Sequence, residues 1–286
     1  MEQGMLYDIA HGSFVDGPGV RTTVFFKGCN LKCSWCHNPE SQSYAPQIIF
    51  YQNKCIGCME CQNVCPNHLK NCTLCGECTK YCPVSARKIC GKVWTLDEVM
   101  KNILQDKMFF QISGGGVTFS GGECMLQIDF LESLLKRCRQ EGIHTAVDTA
   151  GHVPWEYFEK ILPYADMFLY DVKCYSPQLH KEGTGVSNER ILNNLQKLSK
   201  CFHGDIIIRI PVIPGYNMDT EEMKKIADFL KSIRHSKVEL LGYHKLGENK
   251  YAAIAKELKQ YAVPDAAEIK QLEELFQTVL PDQKSL

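Results

Sequence analysis

The sequence predicts an α/β protein, a partial (β/α)6 TIM-like barrel interrupted by a cysteine-rich insertion. Three observations predict it. Short β-rich runs alternate with helical patterns about six times, the order that gives a parallel sheet covered by helices. Several runs end in polar or glycine-rich residues, at Ser120-Gly-Gly-Glu, Asp148-Thr, Asp171-Val-Lys and Tyr243-His. Such convergence at strand ends favours a barrel, with its site at the C-terminal face, over a doubly wound sheet. Length agrees: a complete eight-fold barrel usually needs about 250 residues, and six units in the remainder of this 286-residue chain imply an open one.

The strands are expected at 20–27, 117–120, 144–148, 167–172, 205–212 and 238–243. Helical patterns fall between them at 96–106, 126–141, 155–162, 188–200 and 220–234. In the second of these, Phe130, Leu131, Leu134, Leu135 and Cys138 recur at three- and four-residue spacing, the apolar stripe of one helix face. Ile269, Leu272, Leu275, Phe276 and Val279 mark a closing amphipathic helix. Residues 1–46 and 93–286 form the barrel; residues 47–92 lack comparable periodicity and form the insertion.

Net charge is −1, from 32 Lys+Arg against 33 Asp+Glu. This gives no electrostatic case for nucleic acid or an anionic membrane. No run approaches the 18 or so apolar residues of a membrane span. No secretory signal is visible either, so a cytoplasmic location is expected. The outlying number is 16 cysteines, eight of them between Cys55 and Cys82. In a reducing compartment, clustered thiols read as metal ligands or redox groups rather than disulfides.

The insertion contains a repeat with an offset of 17 residues, Cys55-Ile-Gly-Cys58-Met-Glu-Cys61-Gln-Asn-Val-Cys65-Pro and Cys72-Thr-Leu-Cys75-Gly-Glu-Cys78-Thr-Lys-Tyr-Cys82-Pro. Each copy is C-x₂-C-x₂-C-x₃-C-P, the bacterial ferredoxin run for a [4Fe–4S] cluster, whose fourth cysteine ligates the other cluster. By that rule Cys55, Cys58, Cys61 and Cys82 hold one cluster, and Cys65, Cys72, Cys75 and Cys78 the other. A pair of zinc sites is the alternative, since zinc also uses C-x₂-C pairs. Six basic residues against two acidic ones, Glu60 and Glu77, answer the negative charge of such clusters.

A separate set ends the first strand: Cys29-Asn-Leu-Lys-Cys33-Ser-Trp35-Cys36. Three close thiolates leave a four-iron cube with an open iron, where a substrate or cofactor coordinates, as at catalytic metal sites. The spacing C-x₃-C-x₂-C is the signature of the radical S-adenosylmethionine (SAM) superfamily. The longer segment Asp16-Gly-Pro-Gly-Val-Arg21 … Phe25-Phe-Lys-Gly-Cys29 … Cys36-His37-Asn-Pro-Glu40 resembles the activating enzymes of glycyl-radical enzymes. The paired ferredoxin runs place it in the subgroup with a two-cluster ferredoxin-like insertion.

The resemblance implies three [4Fe–4S] clusters, SAM and a monovalent cation. Ser120-Gly121-Gly122-Glu123 matches the motif that binds the SAM amino group, and Lys173 would pair with its carboxylate. Trp35, Cys36, His37, Asp171, Val172, Arg209 and His244 would complete the SAM site. Asp148, Thr149 and Asp171 would hold the cation, and Asp16 and Arg21 would meet the partner's glycine loop. The implied reaction is one-electron cleavage of SAM to a 5′-deoxyadenosyl radical, which removes hydrogen from a glycine Cα of a partner glycyl-radical enzyme. A flavodoxin- or ferredoxin-type donor would supply the electron, to a monomeric enzyme. Two other readings stand beside it: a radical SAM enzyme acting on a small molecule or peptide, and a ferredoxin-type electron carrier. Cys90, Cys124, Cys138, Cys174 and Cys201 have no assigned task and read as buried small hydrophobes.

Overall fold

The computed structural model describes residues 2–280. In chain order the elements are β1 (Gln3–Ser13), β2 (Arg21–Phe26), β3 (Gln47–Phe50), α1 (Glu60–Asn63), α2 (Glu77–Lys80), β4 (Arg87–Cys90), β5 (Lys92–Thr95), α3 (Leu96–Gln105), α4 (Lys107–Ser113), β6 (Gly116–Gly121) and α5 (Ile128–Gln140). There follow β7 (His144–Thr149), α6 (Trp155–Ile161), β8 (Met167–Asp171), α7 (Pro177–Thr184), α8 (Glu189–Cys201), β9 (Asp205–Val212), α9 (Thr220–Leu230), β10 (Lys237–Gly242), α10 (Glu248–Ala253) and α11 (Ala266–Val279). The six expected strands are β2 and β6 to β10, which run parallel in the order β10-β9-β8-β7-β6-β2. Two further strands extend the sheet beyond β2: β1 lies antiparallel to β2, and β5 antiparallel to β1.

Alternation with period two sorts the side chains of the parallel strands. Val117, Phe119, Val147, Phe168, Tyr170, Ile206, Ile208 and Ile210 face outward into the large core beneath the helices. Ala146, Met167, Leu169 and Ile207 face inward as a small separate cluster. The same inward parity carries Ser120, Asp148, Asp171 and Arg209 to the C-terminal ends of their strands. The sheet must curl to bring these together. A flat sheet with strands ~4.8 Å apart would set β6 and β10 about 19 Å from each other, yet Ser120 and Gly242 line one cavity.

The helices cover the outer face as their stripes predict. Ile128, Phe130, Leu131, Leu134, Leu135 and Cys138 of α5 are buried. The closing helix α11 starts at a capping box between Asp265 and Glu268 and packs Leu272 and Phe276 beside α9 and β10. No helix among the described residues is long and apolar enough to cross a membrane.

The segment between β2 and β5 has structure that periodicity does not announce. β3 and β4 pair antiparallel, from Gln47 opposite Cys90 to Phe50 opposite Arg87, and so close its base. β5 begins at Lys92, so the chain rejoins the main sheet one residue inside the expected insertion. Of the five unassigned cysteines, Cys90, Cys124, Cys138 and Cys174 are buried; Cys201 is exposed, contrary to expectation, because it ends α8 on its solvent side.

Candidate active site

The loop after β2 carries Cys29, Cys33 and Cys36, and it is tied down by backbone bonds on both flanks. Gly28 N–H donates to the Ser41 carbonyl at 2.7 Å, Lys32 N–H to Thr184 at 2.7 Å and Ser34 N–H to Gly183 at 3.0 Å. The last two acceptors sit at the C-terminal end of α7, where helix carbonyls lack partners within the helix. Tyr251 Oη donates to the Cys36 carbonyl at 2.9 Å, and Ser34 Oγ lies 2.6 Å from Tyr261 Oη. Trp35 is buried between Tyr216 and Tyr261, with ring centroids 4.3 and 6.4 Å away.

All three thiols line a cavity of about 300 Å³ at the C-terminal mouth of the barrel. Burial pushes each of them up, Cys33 to about 12. Ser120, Gly121, Asp148, Asp171, Lys173 and Arg209 line the same cavity from successive strand ends, and His37 and His244 stand at its rim. The two rims are in contact, with imidazole centroids 4.7 Å apart. Burial, Lys250 and His244 together lower His37 to about 4, so it is neutral at physiological pH.

The charges inside are balanced in pairs. Lys173 Nζ donates to Asp171 Oδ2 at 2.6 Å; burial alone would lower the ammonium, and the carboxylate beside it more than offsets that. Ser120 Oγ donates to Asp148 Oδ2 at 2.6 Å, and Arg209 Nη1 lies 3.6 Å from the same oxygen. Burial, against the pull of Arg209 and with Asp171 nearby, raises Asp148 to about 6.

Three expected site residues are placed differently. Val172 has the outward parity of Phe168 and Tyr170, so its side chain enters the core beneath the helices. Glu123 does not line the cavity. Its carboxylate accepts from Thr149 Oγ1 at 2.8 Å, Ala150 N–H at 3.0 Å and Met125 N–H at 3.2 Å, locking the turn after β7. Its glycines have a local reason too: Gly121 has φ +113°, and a Cβ on Gly122 would collide with the Gly28 carbonyl.

Arg21 is the third. It is fully buried, with Nε donating to Thr118 Oγ1 and Nη2 to the Val117 carbonyl, both at 2.6 Å. Its side chain presents no exposed surface. It supports the 14–19 turn instead, donating to the Pro18 carbonyl at 3.2 Å. Asp16 in that turn accepts from Ser13 Oγ and Thr23 Oγ1, each at 2.7 Å, while Phe14 and Val15 are exposed. Arg209 Nη2 donates to the Val15 carbonyl at 2.5 Å, which joins the turn to the cavity wall.

In the insertion the two repeats adopt matching backbones. Gly57 and Leu74 have φ of 71° and 58°, Met59 and Gly76 have 60° and 81°, and His68 and Ser85 have 46° and 50°. Each N–H two residues beyond the first cysteine donates to its sulfur, Gly57 to Cys55 at 3.5 Å and Leu74 to Cys72 at 3.4 Å. Each N–H four residues beyond the last does the same, Leu69 to Cys65 and Ala86 to Cys82, both at 3.2 Å. Cys55, Cys58, Cys61 and Cys82 line one cavity of about 130 Å³. Cys78 is raised by burial and by three neighbouring thiols, Cys65, Cys72 and Cys75.

The model of the radical SAM superfamily matches residues 59–230. The trans-4-hydroxy-L-proline dehydratase activating enzyme of Clostridioides difficile is 41% identical over 286 residues, covering 93% of each chain. The (2S)-3-sulfopropanediol dehydratase activating enzyme of Klebsiella oxytoca is 40% identical over 271 residues, 88% of this chain and 85% of that one. The chain belongs to the glycyl-radical-enzyme activating enzymes of the radical SAM superfamily. A solved domain of a pyruvate-formate lyase-activating enzyme from Bacteroides vulgatus supports the placement, with 32% identity and a TM-score of 0.51 over 60% of this chain and 98% of that one.

Membership in the radical SAM activating enzymes implies a [4Fe–4S] cluster and SAM, and the residues present fit them. Three soft sulfur donors face one cavity, Leu31 N–H donates to Cys29 Sγ at 3.4 Å, and a lysine and an arginine face the same space. Among the described residues no three His, Cys, Asp or Glu gather tightly enough for a single metal ion, so the thiol sets surround cavities rather than points. Ser120 lines the cavity and Asn217 is bonded to residues that line it, and neither is singled out as an individual site residue by the sequence. Ser120 stood in the quoted glycine motif, and Asn217 directly follows the Pro-Gly-Tyr turn after β9.

Proposed function

We propose that this activating enzyme installs a glycyl radical through the cavity at the mouth of its barrel, and that clusters held by the eight repeat thiols relay the electron. Cys29, Cys33 and Cys36 would hold a cluster that, with SAM bound, would supply one-electron cleavage of SAM to methionine and a 5′-deoxyadenosyl radical, able to take hydrogen from a glycine Cα of the partner. The single observation that carries the reading is the convergence of three thiols and five strand ends on one cavity of about 300 Å³.

In this reading Cys29, Cys33 and Cys36 hold the cluster. Lys173 meets the SAM carboxylate, an ammonium already held in place by Asp171. Arg209 faces the nucleoside, and His37 and His244 close over it and keep water out. Gly121 and Gly122 offer backbone to the amino group, while Glu123 acts one step back by fixing the turn at Thr149 and Ala150. Asp148, Thr149 and Asp171 suit a monovalent cation, because two neighbouring, partly buried carboxylates gain from a charge between them. Residues 47–92 form a ferredoxin-like domain with two clusters, on Cys55, Cys58, Cys61 and Cys82 and on Cys65, Cys72, Cys75 and Cys78. The shared cavity and the raised Cys78 support that partition. Asp16 and its exposed turn meet the partner, a flavodoxin- or ferredoxin-type protein donates the electron, and the enzyme acts as a cytoplasmic monomer.

The test is anaerobic. With iron and sulfide restored, dithionite plus SAM releases 5′-deoxyadenosine, and a partner glycyl-radical enzyme then gives a persistent glycyl electron-spin signal. 5′-Deoxyadenosine without a glycyl signal from any candidate partner would favour a small-molecule substrate; no 5′-deoxyadenosine would overturn the reading.

A further inference from the structure

The wall of the cavity formed by β8 and β9 is fastened by one side chain. Asn217 is fully buried, and its carboxamide is completely used. Oδ1 accepts from Ile213 N–H at 2.8 Å, and Nδ2 donates to the Lys173 carbonyl at 2.7 Å and the Pro211 carbonyl at 2.5 Å. Lys173, Pro211 and Ile213 all line the cavity. The amide therefore extends the clamp between the two strand ends beyond the backbone ladder, which stops where Val172 N–H donates to the Arg209 carbonyl at 2.9 Å.

The residue before it reaches the other wall. The Tyr216 ring packs on Trp35 at 4.3 Å, within the loop of the three cysteines. Its hydroxyl donates to the Leu179 carbonyl at 3.1 Å and lies 3.4 Å from Cys174 Sγ, so the ring is anchored on α7. Gly183, whose carbonyl holds Ser34 N–H, lies so close to that ring that a Cβ would collide with it. The cysteine loop and the lysine are thus both referenced to two consecutive residues, neither of which lines the cavity.

We propose that Tyr216 and Asn217 are positioning residues that hold the Cys29–Cys33–Cys36 loop and Lys173 in register for SAM. The inference rests on the proposed function, because it assumes that SAM spans the loop and the lysine. Neither residue touches the reacting atoms; both act through the groups they hold. Geometry of this kind controls rate steeply, since displacements of about 1 Å in bound reactants cost about 100-fold.

The experiment titrates SAM into the reduced holoenzyme and follows the electron-spin spectrum of its cluster, with iron content and thermal midpoint recorded in parallel. Asn217→Ala is expected to keep full iron and an unchanged spectrum without SAM, yet to need about tenfold more SAM for the spectral change. Tyr216→Phe, which keeps the ring, is expected to stay within about threefold of the wild type; Tyr216→Leu is expected to lose about tenfold in SAM affinity. Should Asn217→Ala not fold, Asn217→Asp decides. It keeps the volume and the acceptor for Ile213, but turns an oxygen toward two carbonyls, and the same weakening is expected. SAM affinity within twofold of wild type in the folded Asn217 variants and in Tyr216→Leu, whatever their thermal midpoints, would overturn the inference. A wild-type holoenzyme whose spectrum ignores SAM would instead overturn the function beneath it.

Discussion

Glu123 stands behind the cavity, holding Thr149 Oγ1 and Ala150 N–H rather than lining the space itself. Burial raises it to about 7, against three hydrogen bonds that favour the carboxylate. The sign of the consequence follows. An acid whose pKa is raised in the fold holds a proton that the unfolded chain has already released, so stability falls as pH rises from the unfolded value near 4.5 toward 7 and is level above. That span corresponds to about 3 kcal/mol. Glu123 is therefore expected to contribute a loss of stability between pH 5 and 7 in urea unfolding of the cluster-free chain, with Asp148, raised to about 6, in the same direction and His37 and His180, lowered to about 4, opposing both. Glu123→Gln is expected to remove its share, so that stability falls less or rises more across that window than in the wild type; a slope equal to the wild type's would overturn the assignment. The motif made Glu123 visible in the sequence, but not its direction, because Ser120-Gly-Gly-Glu does not say that Thr149 and Ala150 return to meet it. Arg21 was misread for the same reason: an arginine in a glycine-rich turn looks available until Thr118 and Val117 are placed against it.

At the scale of elements, the parallel strands and the large helices were legible because each carries its own periodicity, and α5 and β9 needed no tertiary knowledge. β1, β3, β4 and β5 were not. β5 is an edge strand, β3 and β4 form a two-stranded sheet, and β1 lies between β2 and β5; all four are partly exposed and without strict alternation, and their pairing rather than their composition makes them strands. The insertion is the reverse case, where the spacing of the cysteines announced the ligands but nothing announced the backbone. Among the described residues, six of the seven non-glycine residues with positive φ lie between Met59 and Ser85. Each such residue costs about 1–2 kcal/mol, which short helices of four residues do not repay; under the proposed function, bonds to metal would offset it. Replacing residues 51–86 with a short Gly-Ser turn between β3 and β4 is expected to leave the barrel folded. Iron should fall from about twelve to about four per chain, one cluster. Cleavage of SAM with dithionite should persist, while cleavage with a protein donor should fail. Loss of all iron would show that the two modules are not separable.

The whole molecule is then assembled by two different forces. A curled sheet with apolar residues on its outer face folds by burial. The segment between β3 and β4 has no such core and, under the proposed function, would take its order from sulfur–iron bonds. What the two share is the short base at Cys90 and Gly91, with Gly91 at φ +100° and packed so closely on Lys27 that a side chain would clash. This base holds the insertion against β2, the strand that leads into the Cys29 loop.

One detail of the insertion reaches beyond geometry. Cys82, from the second repeat, lines the cavity of the first, and Cys65, from the first, lies among the thiols of the second. Under the proposed function neither half therefore owns a complete ligand set, and whichever cluster formed first would draw both halves into place for the other. Loading of the insertion would then be all-or-none. In a limiting-iron titration of a variant with Cys29, Cys33 and Cys36 replaced by alanine, followed by native mass spectrometry, the chain should appear with no iron or about eight irons, and the species with about four should stay scarce throughout. A cell short of iron would then hold a mixture of competent and incompetent enzyme molecules, rather than a uniform population of half-built ones.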